Sequence, residues 1–397
     1  MSDHEVPITG PLCQLIAGFR HELERLGYRR RPAEAHVALL ADLSQWLERQ
    51  GVRAAELTTE RVGEFLDDRR RRDHARLVTE KGAGPLLGYL RREGVIPGPS
   101  RPRPRSPMDR LVDRYHHYLL SQRGLAPAVV SSYEASTRLF LTAVGAESCD
   151  LATLSAADVS SYVVTEASRR SVRNLVPALR SFLRFAHIEG LTTLPLSQAV
   201  PTAVRWSESG LPVALAPTEV ARLVASCDRR RAVGRRDYAI LVMLVRLGLR
   251  AGEVAGLTLE DIDWHAGELV VHGKGPRQER LPLPADVGEA VASYLRRGRP
   301  PTDSRAVFVR SIAPIGPLSA TGVTWIVYNA CDRGGITRVG AHCLRHTVAS
   351  ELLASGGSLA EVGQLLRHRR AGTSAIYAKL DVRSLGWLAR PWPGSEA

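Results

Sequence analysis

Through residues 1–97, and again through 108–194, apolar residues recur three and four positions apart, the spacing of short amphipathic helices. The two stretches also align with each other. A shift of 97 places Tyr28 on Leu125, His36 on Tyr133, Leu43 on Phe140, Leu57-Thr58 on Leu154-Ser155, Val62 on Val159 and Phe65 on Tyr162. A shift of 96 places Glu93-Gly94 on Glu189-Gly190. A duplicated helical module and the shared spacing of any two helical segments both give such a pattern. Ser155 with Asp158 has the form of a helix start, which Thr58-x-x-Arg61 carries more weakly.

From residue 213 the pattern changes. Asp237 to Leu249 is apolar nearly all round, which predicts a helix buried on every side. Glu268–His272 and Arg280–Leu283 are strand-like, and Gly273–Glu279 between them is a Gly-containing turn, so a β-hairpin is predicted. Helices are predicted at Ala341–Ser355, stopped by Gly356-Gly357, and at Leu359–Arg367, which starts with the capping box Ser358-x-x-Glu361. A last pair of short helices is predicted around Tyr377 and Trp387. The expected fold class is mainly α with a small antiparallel β-sheet (α+β) in the C-terminal domain, and helical N-terminal domains.

Two proline-bearing stretches read as linkers, 98–107, semi-rigid through its alternating prolines, and 195–212, with little periodicity. They divide the chain into an extra helical domain at 1–97, a helical domain at 108–194 and a C-terminal domain at 213–397. A length of 397 residues suits such a division.

Charge then narrows the choice of partner. The net charge is +13, and 213–397 carries +8 of it, against +4 for 1–107 and +1 for 108–212. An excess of this size suits a polyanion, most often nucleic acid. An arginine-rich composition, 51 Arg against 3 Lys, produces the same excess without a partner. The most apolar run, 238–249, is too short to cross a membrane and is broken by Arg246. The start, MSDHEVPITG, has neither the basic nor the apolar region of a secretory signal. Five scattered cysteines without a CxxC pair read as reduced thiols, which points to the cytoplasm.

No HExxH motif, Cys/His cluster, convincing two-metal carboxylate pattern or Walker A loop occurs, so neither a metal nor a cofactor is expected. Phosphoryl chemistry would fall to side chains alone. Arg250 ends the buried helix in GLRAGEV, where it either points outward or answers helix-end carbonyls. Lys274 sits in the predicted turn. A lysine, unlike an arginine, can be tuned to release its proton, which makes it a candidate general acid or simply a solvated turn residue. His342 and Arg345 lie one turn apart on one predicted helix face, His368 follows an apolar helix, and Tyr377 lies nine residues further on. Singly, each of these also has an ordinary structural explanation.

Their order and spacing resemble the catalytic signature of the tyrosine recombinase (phage integrase) family, through LGLRAGEVAGLTLEDID, VHGKGPRQERLPLP, AHCLRHTVASELLASG and LLRHRRAGTSAIYAKL. The likeness spans the C-terminal domain, and 108–194 is similar to the family's helical core-binding domain. One departure is Arg367, where the family usually has glycine, with crowding of the site or an added phosphate contact as possible consequences.

The resemblance implies a site-specific DNA recombinase needing neither ATP nor metal, because one phosphoester replaces another. Tyr377 would attack a phosphodiester to give a 3′-phosphotyrosine and a free 5′-hydroxyl. Arg250 and Arg345 would grip the non-bridging oxygens, Lys274 would protonate the leaving oxygen, His342 would assist proton transfer at the tyrosine, and His368 would bond the phosphate. Glu253 would orient Arg250. It further implies double-stranded DNA carrying a specific recombination site, a tetrameric synapse of the protein with itself, and accessory recombinases or directionality factors as partners. Location at the bacterial nucleoid in the cytoplasm follows, with no membrane. The apolar Leu385, Trp387, Leu388 and Trp392 would pass to a neighbouring subunit or dock on their own domain. A catalytically silent DNA-binding relative and a type IB topoisomerase-like enzyme are the alternatives. For residues 1–97 the expectation is a longer DNA footprint or a contact with a partner subunit.

Overall fold

Helical spacing in the N-terminal stretch is realised as α1 (Ile16–Arg25), α2 (Arg30–Arg49), α3 (Thr59–Arg71) and α4 (Gly84–Arg92). Their apolar faces meet around Phe19, Leu40, Leu43, Trp46, Phe65 and Leu90. The start of α3 is set by Thr58, whose Oγ1 accepts the Arg61 amide at 3.3 Å, the work of an N-cap. The computed structural model describes residues 10–72, 76–96, 106–145, 150–167, 172–201, 214–273, 278–367 and Tyr377.

The second stretch forms α5 (Pro107–His117), extended by a π turn over Tyr118–Gln122, then α6 (Pro127–Ala143), α7 (Ala156–Ala167) and α8 (Val172–Ile188). Ser106 and Asp109 cap α5 reciprocally, at 3.0 and 3.2 Å. The helix therefore begins at Pro107, one residue inside the predicted linker. A proline is suited to this first position because its missing N–H has no partner there anyway. Ser155 and Asp158 form the predicted box at the start of α7. Helices α2 and α6 begin 97 residues apart, and so do α3 and α7. Leu43 with Phe140, Val62 with Val159, and Phe65 with Tyr162 are buried at matching positions.

Beyond residue 213 the elements are α9 (Pro217–Ala225), α10 (Ala232–Leu247), α11 (Ala251–Gly256), β1 (Ile262–Asp263), β2 (Glu268–His272), β3 (Gln278–Pro282), α12 (Ala285–Arg297), α13 (Ala320–Gly334), α14 (Ala341–Ala354) and α15 (Leu359–Leu365). The central helix α10 buries Ala239, Ile240, Leu241, Met243 and Leu244, as its all-round apolarity predicts. It starts before the apolar run because Arg236 and Asp237 enter the protein together as a 2.8 Å ion pair. The hairpin forms with Val270 opposite Arg280 and Val271 opposite Glu279, and β1 adds a third antiparallel strand on the far side of β2.

Residues 1–98 and 210–397 form one compact unit, and 99–209 another. Within the first unit the end of α1 docks on the loop before α13. The Ile315 amide donates to the Leu26 carbonyl at 2.8 Å, and Arg25 pairs with Asp303 at 2.9 Å. Gly27 permits this approach, with φ at +76° and an imagined Cβ only 2.4 Å from Ile315 Cδ1. Among the described residues no helix is long and apolar enough to cross a membrane.

Candidate active site

The site is assembled at the C-terminal end of α10. Gly248 ends that helix in the left-handed conformation, φ +57°, and turns the chain so that Leu249 stays buried while Arg250 faces outward. Arg250 then precedes α11, and Glu253, one turn in, reaches back to it. The Arg250 amide donates to Glu253 Oε2 at 2.9 Å, and Arg250 Nη1 donates to Oε1 at 2.6 Å. Glu253 is buried, which alone would raise its pKa. The Arg250 amide and the charges of Arg367 and Arg250 outweigh that and hold the carboxyl below its usual range.

Arg367 is the second guanidinium on this carboxylate, donating from Nη2 to Glu253 Oε2 at 2.7 Å. Its Nε stands 3.5 Å from Glu279 on β3. Its backbone lies in the left-handed region, φ +54°, where a glycine would sit without strain. The departure noted in the sequence therefore has a definite consequence. The side chain turns inward to share Glu253 with Arg250, linking the end of α15, the start of α11 and the hairpin.

Arg345 lies on α14 and is 1 % exposed. Nη1 donates to the Gly248 carbonyl and Nη2 to the Leu366 carbonyl. These are acceptors that the ends of α10 and α15 leave without helical partners. One guanidinium thus fastens two helix ends, and its remaining N–H groups are not committed by these two bonds. Burial, with Arg250 and Arg367 close by, lowers its pKa to about 10, and it stays protonated at neutral pH.

His342 and His346 stand one turn apart on α14, their ring centroids 4.4 Å apart and edge-on. His346 Nδ1 lies 2.6 Å from the Tyr377 hydroxyl. Tyr377 is 1 % exposed, packed with Ala349, Leu353, Val362 and Leu366. Burial pushes its phenol up to about 12, against the opposing pull of Arg345. Burial, then His342 and Arg345, push His346 down to about 4. The neutral ring and the neutral phenol are therefore the resting forms at pH 7.

Of the predicted site residues, Arg250 thus lies just before α11, His342 and Arg345 lie on α14, and Tyr377 packs in the cluster that α14 and α15 form. Lys274 and His368 lie outside the described residues, as do Leu385, Trp387, Leu388 and Trp392 and the helices predicted beyond Tyr377. His272 pairs with Gln278, on either side of the stretch that contains Lys274. The resemblance implies a role for His342 at the tyrosine, and the structure places its ring beside that of His346, a residue the sequence reading did not single out and which contacts the Tyr377 hydroxyl. The missed signal was its place four residues after His342, on the same helical face.

An exposed guanidinium, a buried one, and a phenol beside a neutral imidazole are groups of the kind that bind anions and exchange protons. Comparison with known proteins identifies the family. Residues 214–383 match the phage integrase family model, and 112–190 match the model of the phage integrase N-terminal SAM-like domain. A Sinorhizobium fredii protein named as an integrase/recombinase (y4rA) is 40 % identical over 396 residues, covering 98 % of this chain and 96 % of that one. Tyrosine recombinase XerD of Mycobacterium tuberculosis is 32 % identical over 305 residues, 71 % of this chain and 95 % of its own. In fold, the chain is similar to XerH site-specific recombinase bound to its palindromic difH substrate, with TM-score 0.59, 17 % identity, and 73 % and 98 % of the two chains covered. It is also similar to a lambda integrase dimer bound to a core site, with TM-score 0.53, 17 % identity, and 72 % and 98 % covered. From its helical and hairpin architecture, its arginine–histidine–tyrosine site and these relatives, the chain belongs to the phage integrase family of tyrosine recombinases, enzymes that break and rejoin DNA in site-specific recombination.

Proposed function

We propose that this recombinase cuts DNA through Tyr377, whose phenolic oxygen displaces a 5′-oxygen from phosphorus and leaves a 3′-phosphotyrosine. The observation that carries the reading is the convergence of Arg345 and Tyr377, 32 positions apart in sequence and each 1 % exposed, where Arg345 bonds the Leu366 carbonyl and Leu366 belongs to the cluster that buries Tyr377. Arg250 and Arg345 neutralise the charge that grows on the non-bridging oxygens, and guanidinium forks suit this role. Lys274 supplies the proton to the leaving oxygen, and His368 bonds the phosphate. The phosphoester is conserved through the reaction, so neither ATP nor metal is required.

The partner on this reading is double-stranded DNA with a specific site, bound by residues 108–194 and 213–397, with copies of the protein in a tetrameric synapse. Accessory recombinases or directionality factors assist. The reaction takes place on DNA in the cytoplasm, at the nucleoid. Residues 1–97 are a second copy of the module at 108–194, supported by the 97-residue repeat of helix starts and buried positions. The test uses a duplex recovered from a randomised pool by selection with the full-length protein, then nicked near the cleavage point to trap the intermediate. A protease-sensitive covalent adduct is expected with chelator present. Its absence from the wild-type protein would refute the reading.

A further inference from the structure

His346, a side chain in contact with the Tyr377 hydroxyl, belongs neither to the Arg…Lys…His-x-x-Arg…His…Tyr pattern nor to the reaction outlined above. We infer that His346 is a catalytic residue that orients the Tyr377 phenol and takes its proton during strand cleavage. The inference rests on the reading of Tyr377 as nucleophile and goes beyond it by assigning the base.

Three features carry it. The first is contact, since Nδ1 and the phenolic oxygen are 2.6 Å apart, within the reach required of a general base. The second is orientation. His346 is fixed on α14 between the ring of His342 and that of Tyr377, at centroid distances of 4.4 and 5.5 Å. The third is enclosure, because a phenol that is 1 % exposed has little access to water that could take its proton. Among the described residues, the titratable and charged groups acting on His346 are His342 and Arg345 from α14 and Tyr377 itself, and the neighbours of Tyr377 on and just after α15 are the apolar Val362 and Leu366. Burial first, then His342 and the charge of Arg345, disfavour protonated His346 in the resting enzyme, so the ring rests neutral beside the phenol.

In the cleavage step the Tyr377 Oη–H proton passes to His346 Nδ1, in the tautomer with hydrogen on Nε2, as Oη bonds to phosphorus. The bond from phosphorus to the 5′-oxygen breaks, and that oxygen takes a proton from the acid opposite, assigned above to Lys274. On rejoining, the 5′-hydroxyl returns its proton to that acid and attacks phosphorus. The phenolate leaves and recovers its proton from Nδ1.

The experiment follows single-turnover adduct formation on the nicked duplex selected above, with a second version carrying sulfur in place of the bridging 5′-oxygen. Sulfur leaves without a proton donor, so it rescues defects on the leaving-group side only. His346→Asn keeps an acceptor near the hydroxyl but cannot hold the proton. It is expected to slow cleavage about 10²-fold or more, with a rate that climbs tenfold per pH unit between 6 and 8 where the wild type is flat. Sulfur should not restore it, whereas sulfur should restore Lys274→Ala. A His346→Asn rate within threefold of wild type, or its rescue by sulfur, would overturn the assignment while leaving Tyr377 in place. If the asparagine variant fails to bind the duplex, His346→Ala with added imidazole decides. Recovery of at least tenfold supports the inference, and no recovery overturns it. Failure of wild type to form the adduct, or its persistence in Tyr377→Phe, would remove both readings together.

Discussion

Replacing Glu253 by glutamine tests the junction that holds the two site arginines. The carboxylate accepts from Arg250 Nη1 at 2.6 Å, Arg367 Nη2 at 2.7 Å and the Arg250 amide at 2.9 Å. A glutamine keeps one oxygen and turns an NH₂ toward a guanidinium that also donates. The Arg250 side chain is 46 % exposed, so losing its pair costs at most about 1 kcal/mol. Arg367 is different, with its side chain 7 % exposed and, among the described residues, only Glu279, at 3.5 Å, as a remaining ion-pair partner. Loss of a charge-assisted bond there costs about 1.5–3 kcal/mol, so the total expected is about 2–4 kcal/mol. Because the folded pKa of Glu253 is depressed, its contribution is complete above the unfolded carboxylate value and is lost as pH falls through the folded one. The assay is denaturant unfolding at pH 7 of wild type, Glu253→Gln, Arg367→Met and the double variant. The strain at position 367 cancels in this cycle, and a coupling of at least about 1 kcal/mol is expected for groups in contact. Additive effects within about 0.3 kcal/mol would refute the argument that buried Arg367 depends on Glu253.

Two further outcomes follow from backbone geometry. Arg367→Gly should be more stable than Arg367→Ala by about 1–2 kcal/mol, because alanine pays for φ +54° and glycine does not. Thermal or denaturant unfolding reads the difference, and equal stability would contradict it. Gly27→Val should loosen residues 1–98 from 210–397, since its Cβ would meet Ile315 Cδ1 at 2.4 Å. Limited proteolysis should then cut between residues 97 and 105 faster than in wild type, with an unchanged rate as the contrary result.

Much of this was legible because local chemistry and tertiary environment agree. An apolar run with no polar face requires all-round burial, and α10 has it. Ser358 with Glu361 and Ser155 with Asp158 specify helix starts wherever they occur, since their bonds are local. The hairpin followed from two strand-like runs around a short turn. Strand β1 was not legible, because two residues have no periodicity and Ile262–Asp263 is a strand only through its pairing with β2. The docking of α1 through Leu26 and Ile315 uses backbone groups and so leaves no mark in side-chain pattern. In the site, Arg250 and Glu253 were readable as an i, i+3 pair. The double role of Arg345 depended on where the Gly248 and Leu366 carbonyls end, and the inward turn of Arg367 depended on a left-handed backbone in a non-glycine residue. His346 was readable in principle, since His342 and His346 share a helix face, yet only the arrival of Tyr377 from 31 residues away gives the second histidine its meaning.

The most direct measurement is peptide mapping of the trapped DNA adduct by mass spectrometry. The account predicts a nucleotide joined through its 3′-phosphate to the peptide containing Tyr377, with a free 5′-hydroxyl on the released strand and no adduct in Tyr377→Phe. A nucleotide attached to any other residue, or a 5′-phosphate on the released strand, would contradict it.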